Sequence, residues 1–434
     1  MSHGFEKSNA LLQKALGLTP LGAQTFSKSF RYFCAGNSPS FLERGKGCRV
    51  WDVDGNEFVD FICALGPITV GYNDERVNHA ITQQLQKGII FSQPSPISVE
   101  LAEKLSQIVP CAQMVRFVKN GSDATSAAIR LARAFTGRDH VAVCGYHGMQ
   151  DWYIGSTVNR RGVPGAVCDL SHSFSYNDLD SLRALLGEYP DEVAAVIMEP
   201  IQADGPQDGY LESVKELAQS HGALLIFDEV VSGFRYALGG ASELYNVVPD
   251  MAAFGKGMGN GMPISAVAGR RDVMELIGTQ GVFISTTFGG DALSMAASLE
   301  TIRILEQPGV FERFWELGNA LLAGLRLQIE GLGLSDVVSL TGLAPHAGVS
   351  FEGKGNLGYL DVQSVFQQRM IQEGILSLGI NNINCSHTEQ EVGLFLRASN
   401  LALEDVAMAL KQDSLEGILH GGKVDPIFKR NITR

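Results

Sequence analysis

The middle of the chain, from about Asn73 to Pro308, alternates short apolar runs with segments of helical periodicity. The runs are "HVAVCG" ending at Gly145, "VAAVIMEP" ending at Pro200, "ALLIFDEV" ending at Val230 and "ISAVAG" ending at Gly269. Such runs, with helices between them, predict buried parallel strands. Ahead of them Glu6–Leu16 predicts a helix. The stretch "FLERGKGCRVWDVDGNEFVDF" from Phe41 predicts a meander with Asp54-Gly55 as its hairpin turn. Past Pro308 the pattern changes to a long amphipathic helix over about Phe311–Glu330, a few strands, and a helix near Glu389–Gln412. The expected fold class is α/β. A large domain is expected over residues 71–308, and a smaller α+β domain is expected from residues 1–70 and 309–434. No repeat, low-complexity tract or long Gly/Ser/Pro linker separates independent modules.

A chain of 434 residues, 45% of them hydrophobic, can bury a large core. Its 34 Lys and Arg against 47 Asp and Glu leave a net charge of -13, which repels polyanions and offers no basic footprint for nucleic acid or anionic lipid. Small-molecule chemistry is the better expectation. The seven cysteines are scattered without CxxC or Cys/His spacing, so no metal site is expected and a reducing compartment fits best. Met1–Leu21 has no apolar signal core, and nowhere do eighteen apolar residues run together. A cytoplasmic protein is the expectation.

Three stretches carry chemistry. In "KNGSDATSAAIRLARAFTGR", Lys119–Arg138, a Gly-Ser turn and a capping Ser122 open an Ala-rich helix closed by Gly137. Free N–H groups at Gly121 and Ser122, the positive helix end and the Ser122 hydroxyl would hold a phosphate, although the stretch taken alone reads first as an ordinary capped helix and only its context points to a ligand. In "IFDEVVSGFR", Ile226–Arg235, an apolar strand ends in Asp228-Glu229, at the edge where open α/β sheets bind ligands. A buried Asp228 needs a cationic partner, which a pyridinium N–H or a strand-end salt bridge would supply. In "FGKGMGNGMPISAVAG", Lys256 sits among Gly255, Gly257, Gly259 and Gly261 without charged neighbours. Small neighbours leave room for a cofactor, and desolvation lowers a lysine pKa and frees its amine as a nucleophile.

With these motifs in order, the chain resembles the class III, fold-type I, pyridoxal 5'-phosphate (PLP) dependent aminotransferases, and most closely their glutamate-1-semialdehyde 2,1-aminomutase branch. The likeness runs from "VWDVDGNEFVDF" at Val50 through "YHG" at Tyr146, "MEP" at Met198 and "TTFGGDALSMAA" at Thr286. It implies a mostly parallel seven-stranded sheet flanked by helices, PLP as cofactor, and Lys256 as the Schiff-base lysine that also moves the substrate proton. Asp228 would pair with the pyridine nitrogen, and Tyr146 and Val230 would pack on opposite ring faces. Gly121 and Ser122 would bind the phosphate, joined by Thr287 from the neighbouring subunit of a homodimer. Glu199 and His147 match positions near the coenzyme. Arg235 is expected to be a structural salt-bridge partner.

The likeness also breaks in places. Where the aminomutase stretch Gly-Gly-Val-Asn-Ser-Pro-Val-Arg ends in the carboxylate-binding arginine, this chain reads Leu21 to Lys28. A cation is kept but the guanidinium fork is lost, so Lys28 is the candidate for an anionic or polyhydroxylated part of the substrate, with Arg31 as the competing cation. "TLSGNP" becomes "TFGGDA" around Asp291, and "SLGINNINCSHTEQ" shows Gly379, Asn381 and Asn382 but no acid before Glu389. The expected reaction is transfer of an amino group from an amine donor to an aldehyde or ketone acceptor. A carbohydrate-like or specialised-metabolite carbonyl is one acceptor class. The alternatives are a 2,1-aminomutase, a racemase or epimerase, and a non-catalytic PLP-binding regulator.

Overall fold

The computed structural model describes residues 4–279 and 281–426. They form two compact units, one from the described parts of Met1–Asp74 and Glu312–Phe428, the other from Glu75–Phe311. In chain order the strands are β1 (Leu42–Lys46), β2 (Arg49–Asp52), β3 (Glu57–Asp60), β4 (Met114–Val118), β5 (His140–Cys144), β6 (Ser171–Ser173), β7 (Val193–Met198), β8 (Leu224–Asp228), β9 (Met251–Phe254), β10 (Ser265–Gly269), β11 (Val338–Thr341), β12 (Gly348–Phe351) and β13 (Ile375–Leu376).

In the Glu75–Phe311 unit, seven strands form one sheet in the order β4-β10-β9-β8-β7-β5-β6. Pairings from β9 through to β6 are parallel, as the continuous apolar runs imply, and β7 and β8 are buried along their whole length. Strand β10, expected to be parallel like the others, instead pairs antiparallel with both β9 and β4. The ten residues between Phe254 and Ser265 are too few for a parallel crossover, so the chain turns straight back. Since β10 runs against both neighbours, β4, β5, β7, β8 and β9 all point the same way. Their carboxyl ends share one edge. The core on one face of this sheet joins Ala127, Ile129 and Leu131 of the Gly121–Thr136 helix to Val141, Ile197, Ile226 and Val267.

In the other unit, β1, β2 and β3 form the expected meander and β13 adds to β3 in parallel. Gly55 takes φ +92 at the hairpin turn, a conformation only glycine adopts cheaply. Beside it, the Asp54 carboxylate accepts from the N–H groups of Lys7 (2.7 Å) and Ser8 (2.8 Å), which stabilises the first turn of the Glu6–Leu16 helix. The helices Val310–Gly331 and Glu389–Gln412 stand where periodicity puts them. All seven cysteines are free, and among the described residues no helix is long and apolar enough to cross a membrane.

Candidate active site

The shared carboxyl edge of the sheet collects the residues singled out in the sequence. Strand β4 releases Lys119–Ser122, β5 releases Tyr146 and His147, β7 releases Glu199, β8 ends in Asp228 ahead of Val230, and β9 leads into Lys256. Register aligns these exits, with Cys144 opposite Met198, Met198 opposite Phe227, and Asp228 opposite Ala253.

The Gly121–Thr136 helix is capped by Asn120 rather than Ser122. The Asp123 carboxylate accepts from the Asn120 backbone N–H at 2.9 Å, and the Asn120 carbonyl accepts from Asp123 and Ala124. Gly121 and Ser122 therefore lie inside the first turn, where N–H groups lack intrahelical acceptors. The Ser122 hydroxyl accepts from the Met149 N–H at 3.2 Å. Gly148, at φ +104, lets the Tyr146-His147-Gly148 turn close on this serine, because a β-carbon there would lie 2.3 Å from Ser122 Oγ. That close approach is why the "YHG" motif needs its glycine.

Asp228 and Glu229 have opposite fates. Asp228 is buried, with Oδ2 at 2.9 Å from His147 Nδ1 and Oδ1 accepting from the Val230 N–H at 3.1 Å. Each oxygen keeps a second lone pair. His147 is held by its carbonyl, which accepts from Thr125 Oγ1 at 2.8 Å, and by edge packing on Tyr153. Thr125 was not foreseen, and its one sequence signal is a polar residue on the buried face of an Ala-rich helix. Glu229 turns the other way and is fully buried. It accepts from Ser232 Oγ, the Ala241 N–H (2.8 Å), and the Ser242 N–H (2.8 Å) and Oγ (2.7 Å). Burial raises its pKa against the pull of these hydrogen bonds.

Val230 ties the cradle to the lysine turn. A β-carbon on Gly121 would lie 2.9 Å from Val230 Cγ1, and one on Gly255 would lie 3.5 Å from the same atom. Lys256 itself opens a turn over Lys256–Gly259 with φ +37, left-handed backbone that costs a non-glycine residue about 1–2 kcal/mol. Such strain persists where surrounding structure imposes it, commonly at functional sites. Glu199 accepts from the Tyr146 N–H at 2.9 Å, and Tyr146 packs edge-on against Tyr153 with its ring partly exposed.

The remaining candidates belong to other segments of the chain. Thr287 is exposed in the turn before Asp291. Lys28 ends an exposed 3-10 turn, Phe26–Lys28, in the other unit, while Arg31 pairs with Asp425 there. Asn381 and Asn382 serve their own unit, accepting from Ser377 Oγ and donating to the Ile62 carbonyl, respectively. Arg235 is fully buried.

These residues fit a phosphorylated pyridine aldehyde. First-turn N–H groups suit its phosphate, a buried carboxylate with spare lone pairs suits a protonated ring nitrogen, and a lysine on a glycine-lined turn suits its aldehyde. Residues 33–381 match the family model of the class III aminotransferases. The chain is 36% identical to a 3-aminobutyryl-CoA aminotransferase of Cloacimonas acidaminovorans over 93% of this chain and 98% of that relative. It is 39% identical to a glutamate-1-semialdehyde 2,1-aminomutase of Methanothrix thermoacetophila over 77% of this chain and 80% of that one. A solved transaminase with PLP bound superposes with a TM-score of 0.86 at 26% identity, covering 94% of this chain and 100% of its own. The chain belongs to the class III aminotransferases, PLP-dependent transaminases of fold type I.

Proposed function

We propose that the protein moves amino groups between two different molecules, an amine donor and an aldehyde or ketone acceptor. We further propose a donor that bears its amine two carbons from a carboxyl or thioester carbonyl. The similarity along nearly the full length of both chains to a 3-aminobutyryl-CoA aminotransferase carries this reading. The exchange of the aminomutase arginine for Lys28 supports it, because a lysine is a poorer bidentate partner for a carboxylate. Lys28 would then face the anionic end of a substrate.

Bound PLP supplies an aldehyde that takes up amines and a pyridinium ring that draws electrons from the amine-bearing carbon. Lys256 Nζ would hold the coenzyme and carry a proton to and from that carbon. Asp228, kept in place by His147 and the Val230 N–H, would hold the proton on the ring nitrogen. Tyr146 and Val230 would fix the ring plane, and Gly121 and Ser122 the phosphate. Glu199 would orient the Tyr146 backbone.

A second copy of this chain would complete the site with its Thr287. Phe283 and Phe288, 73% and 59% exposed, flank that residue, and Ile89 and Phe91 are exposed close by, where the Ile89 carbonyl accepts from the Ala292 N–H. Exposed apolar side chains gathered in one region support this reading of an interaction face. A groove of about 660 Å³ beside it runs between Asp123, Ser126 and Arg130 of the Gly121–Thr136 helix and Ile284–Thr286.

The 2,1-aminomutase reading has one observation in its favour, the higher identity to that relative over a shorter span. Spectroscopy separates the two. The pyridoxal form is expected to turn into the pyridoxamine form with 3-aminobutyrate or its thioester, and then to be restored by a separate carbonyl compound, with carbohydrate-like aldehydes and ketones in the screen. Turnover of glutamate 1-semialdehyde alone, with no half-reaction from any separate donor, would overturn the intermolecular reading.

A further inference from the structure

Lys119 is the first residue beyond β4 and directly precedes the Asn120–Ser122 turn. Its ammonium donates to Asp291 Oδ2 at 2.7 Å, to the Pro263 carbonyl at 2.8 Å and to Ser294 Oγ at 3.4 Å. All three donor hydrogens are thereby used. Pro263 lies between the Lys256 turn and β10, and Asp291 ends the turn that carries Thr287. Asp291 in addition caps the Ala292–Leu305 helix, accepting from the Leu293 N–H at 3.1 Å and from Ser294 Oγ at 2.5 Å. The Lys119 carbonyl accepts from Ser265 Oγ, the atom that a β-carbon on Gly255 would meet at 2.7 Å. One side chain thus joins the anion turn, the segment after Lys256 and the loop of Thr287.

The pair is largely withdrawn from water, with 18% of the lysine and 13% of the aspartate side chain exposed. Burial works against the Asp291 charge, and hydrogen bonds from Lys119 and Ser294 outweigh it and hold the carboxyl below its ordinary range. Removing either partner leaves the other charge partly buried and uncompensated, which is costly enough to displace a loop. The carboxylate stands where the aminomutase stretch "TLSGNP" has its asparagine.

We propose that Lys119 and Asp291 act as a positioning pair that sets the phosphate cradle of Gly121 and Ser122, so that coenzyme affinity depends on an ion pair touching no part of the coenzyme. The inference rests on the assignment of that cradle to the PLP phosphate. The test titrates the apoprotein of wild type, Lys119→Met, Lys119→Arg and Asp291→Asn with PLP and, separately, with pyridoxal, which lacks the phosphate. Lys119→Met and Asp291→Asn are expected to weaken PLP about tenfold. Pyridoxal affinity should stay within about twofold, and Lys119→Arg should recover most of the loss, since it keeps the cation. Unchanged PLP affinity in both folded variants would overturn the proposal, as would an equal loss for PLP and pyridoxal, which marks general damage. A wild type that binds pyridoxal as tightly as PLP would instead remove the cradle assignment itself. Apoprotein melting temperatures identify any variant that fails to fold, and Asp291→Asn, which retains the shape and capping oxygen of the aspartate, then supplies the reading.

Discussion

Two neighbouring carboxylates on one strand end show how residue-level chemistry divides labour. Asp228 has one partner on each oxygen, His147 and the Val230 N–H, whereas Glu229 uses its oxygens on four donors of its own unit. Asp228→Asn removes the charge proposed to face a protonated ring nitrogen, and turnover at saturating PLP is expected to fall by about 10²–10³, with melting little changed. Steady-state kinetics beside a thermal melt checks this, and a full-rate variant would contradict the role. Glu229→Leu strands four buried donors. It should lower stability by about 3 kcal/mol or more, read as a fall in the apoprotein's denaturant midpoint. Both acids were visible in the sequence, but not their division. Burial alone does not distinguish them; the serine at 232 and the turn at 240–242 do, and no periodicity signals a contact across a loop.

At the scale of elements, the Gly121–Thr136 helix and the segment carrying Val230 meet so closely that a methyl group decides the fit. Gly121→Ala places a β-carbon 2.9 and 3.0 Å from the two Val230 methyls, and the helix start must shift. Coenzyme affinity should drop, and Val230→Ala in the same chain should restore part of it by making room. A double-mutant cycle on PLP affinity reads that coupling, and strictly additive losses would contradict it. Strong periodicity made Glu6–Leu16 and Glu389–Gln412 legible, as did the apolar runs of β5, β7 and β8. Three features were harder to read. Strand β6, Ser171–Ser173, is a polar edge strand with no apolar run. The direction of β10 is carried by the length of its connection, not by its composition. Asn120 and Ser122 are equally competent caps, so only the backbone distinguishes them.

For the whole molecule, pH is a usable probe. His387 is buried against Phe61, its Nδ1 accepting from the Asn384 N–H at 3.1 Å, so the folded state holds the ring neutral. Desolvation lowers its pKa from 6.5 to about 4, with the nearby Glu391 charge pulling the other way. Between those pH values the unfolded chain binds a proton that the folded chain refuses, so stability falls as pH falls through that window. The shift corresponds to about 3 kcal/mol. His387→Gln should flatten the dependence of the unfolding midpoint between pH 6.5 and about 4, and an unchanged slope would contradict the assignment.

The proposed partner copy belongs to the same scale. Phe283→Glu should yield monomers by light scattering together with weakened PLP binding, and a monomer of full affinity would contradict a shared Thr287. The most direct test of the whole account is borohydride reduction of the PLP-loaded protein followed by peptide mapping. The account predicts a reduced phosphopyridoxyl adduct on the peptide bearing Lys256. Absence of label, or label confined to another lysine such as Lys119, would contradict it.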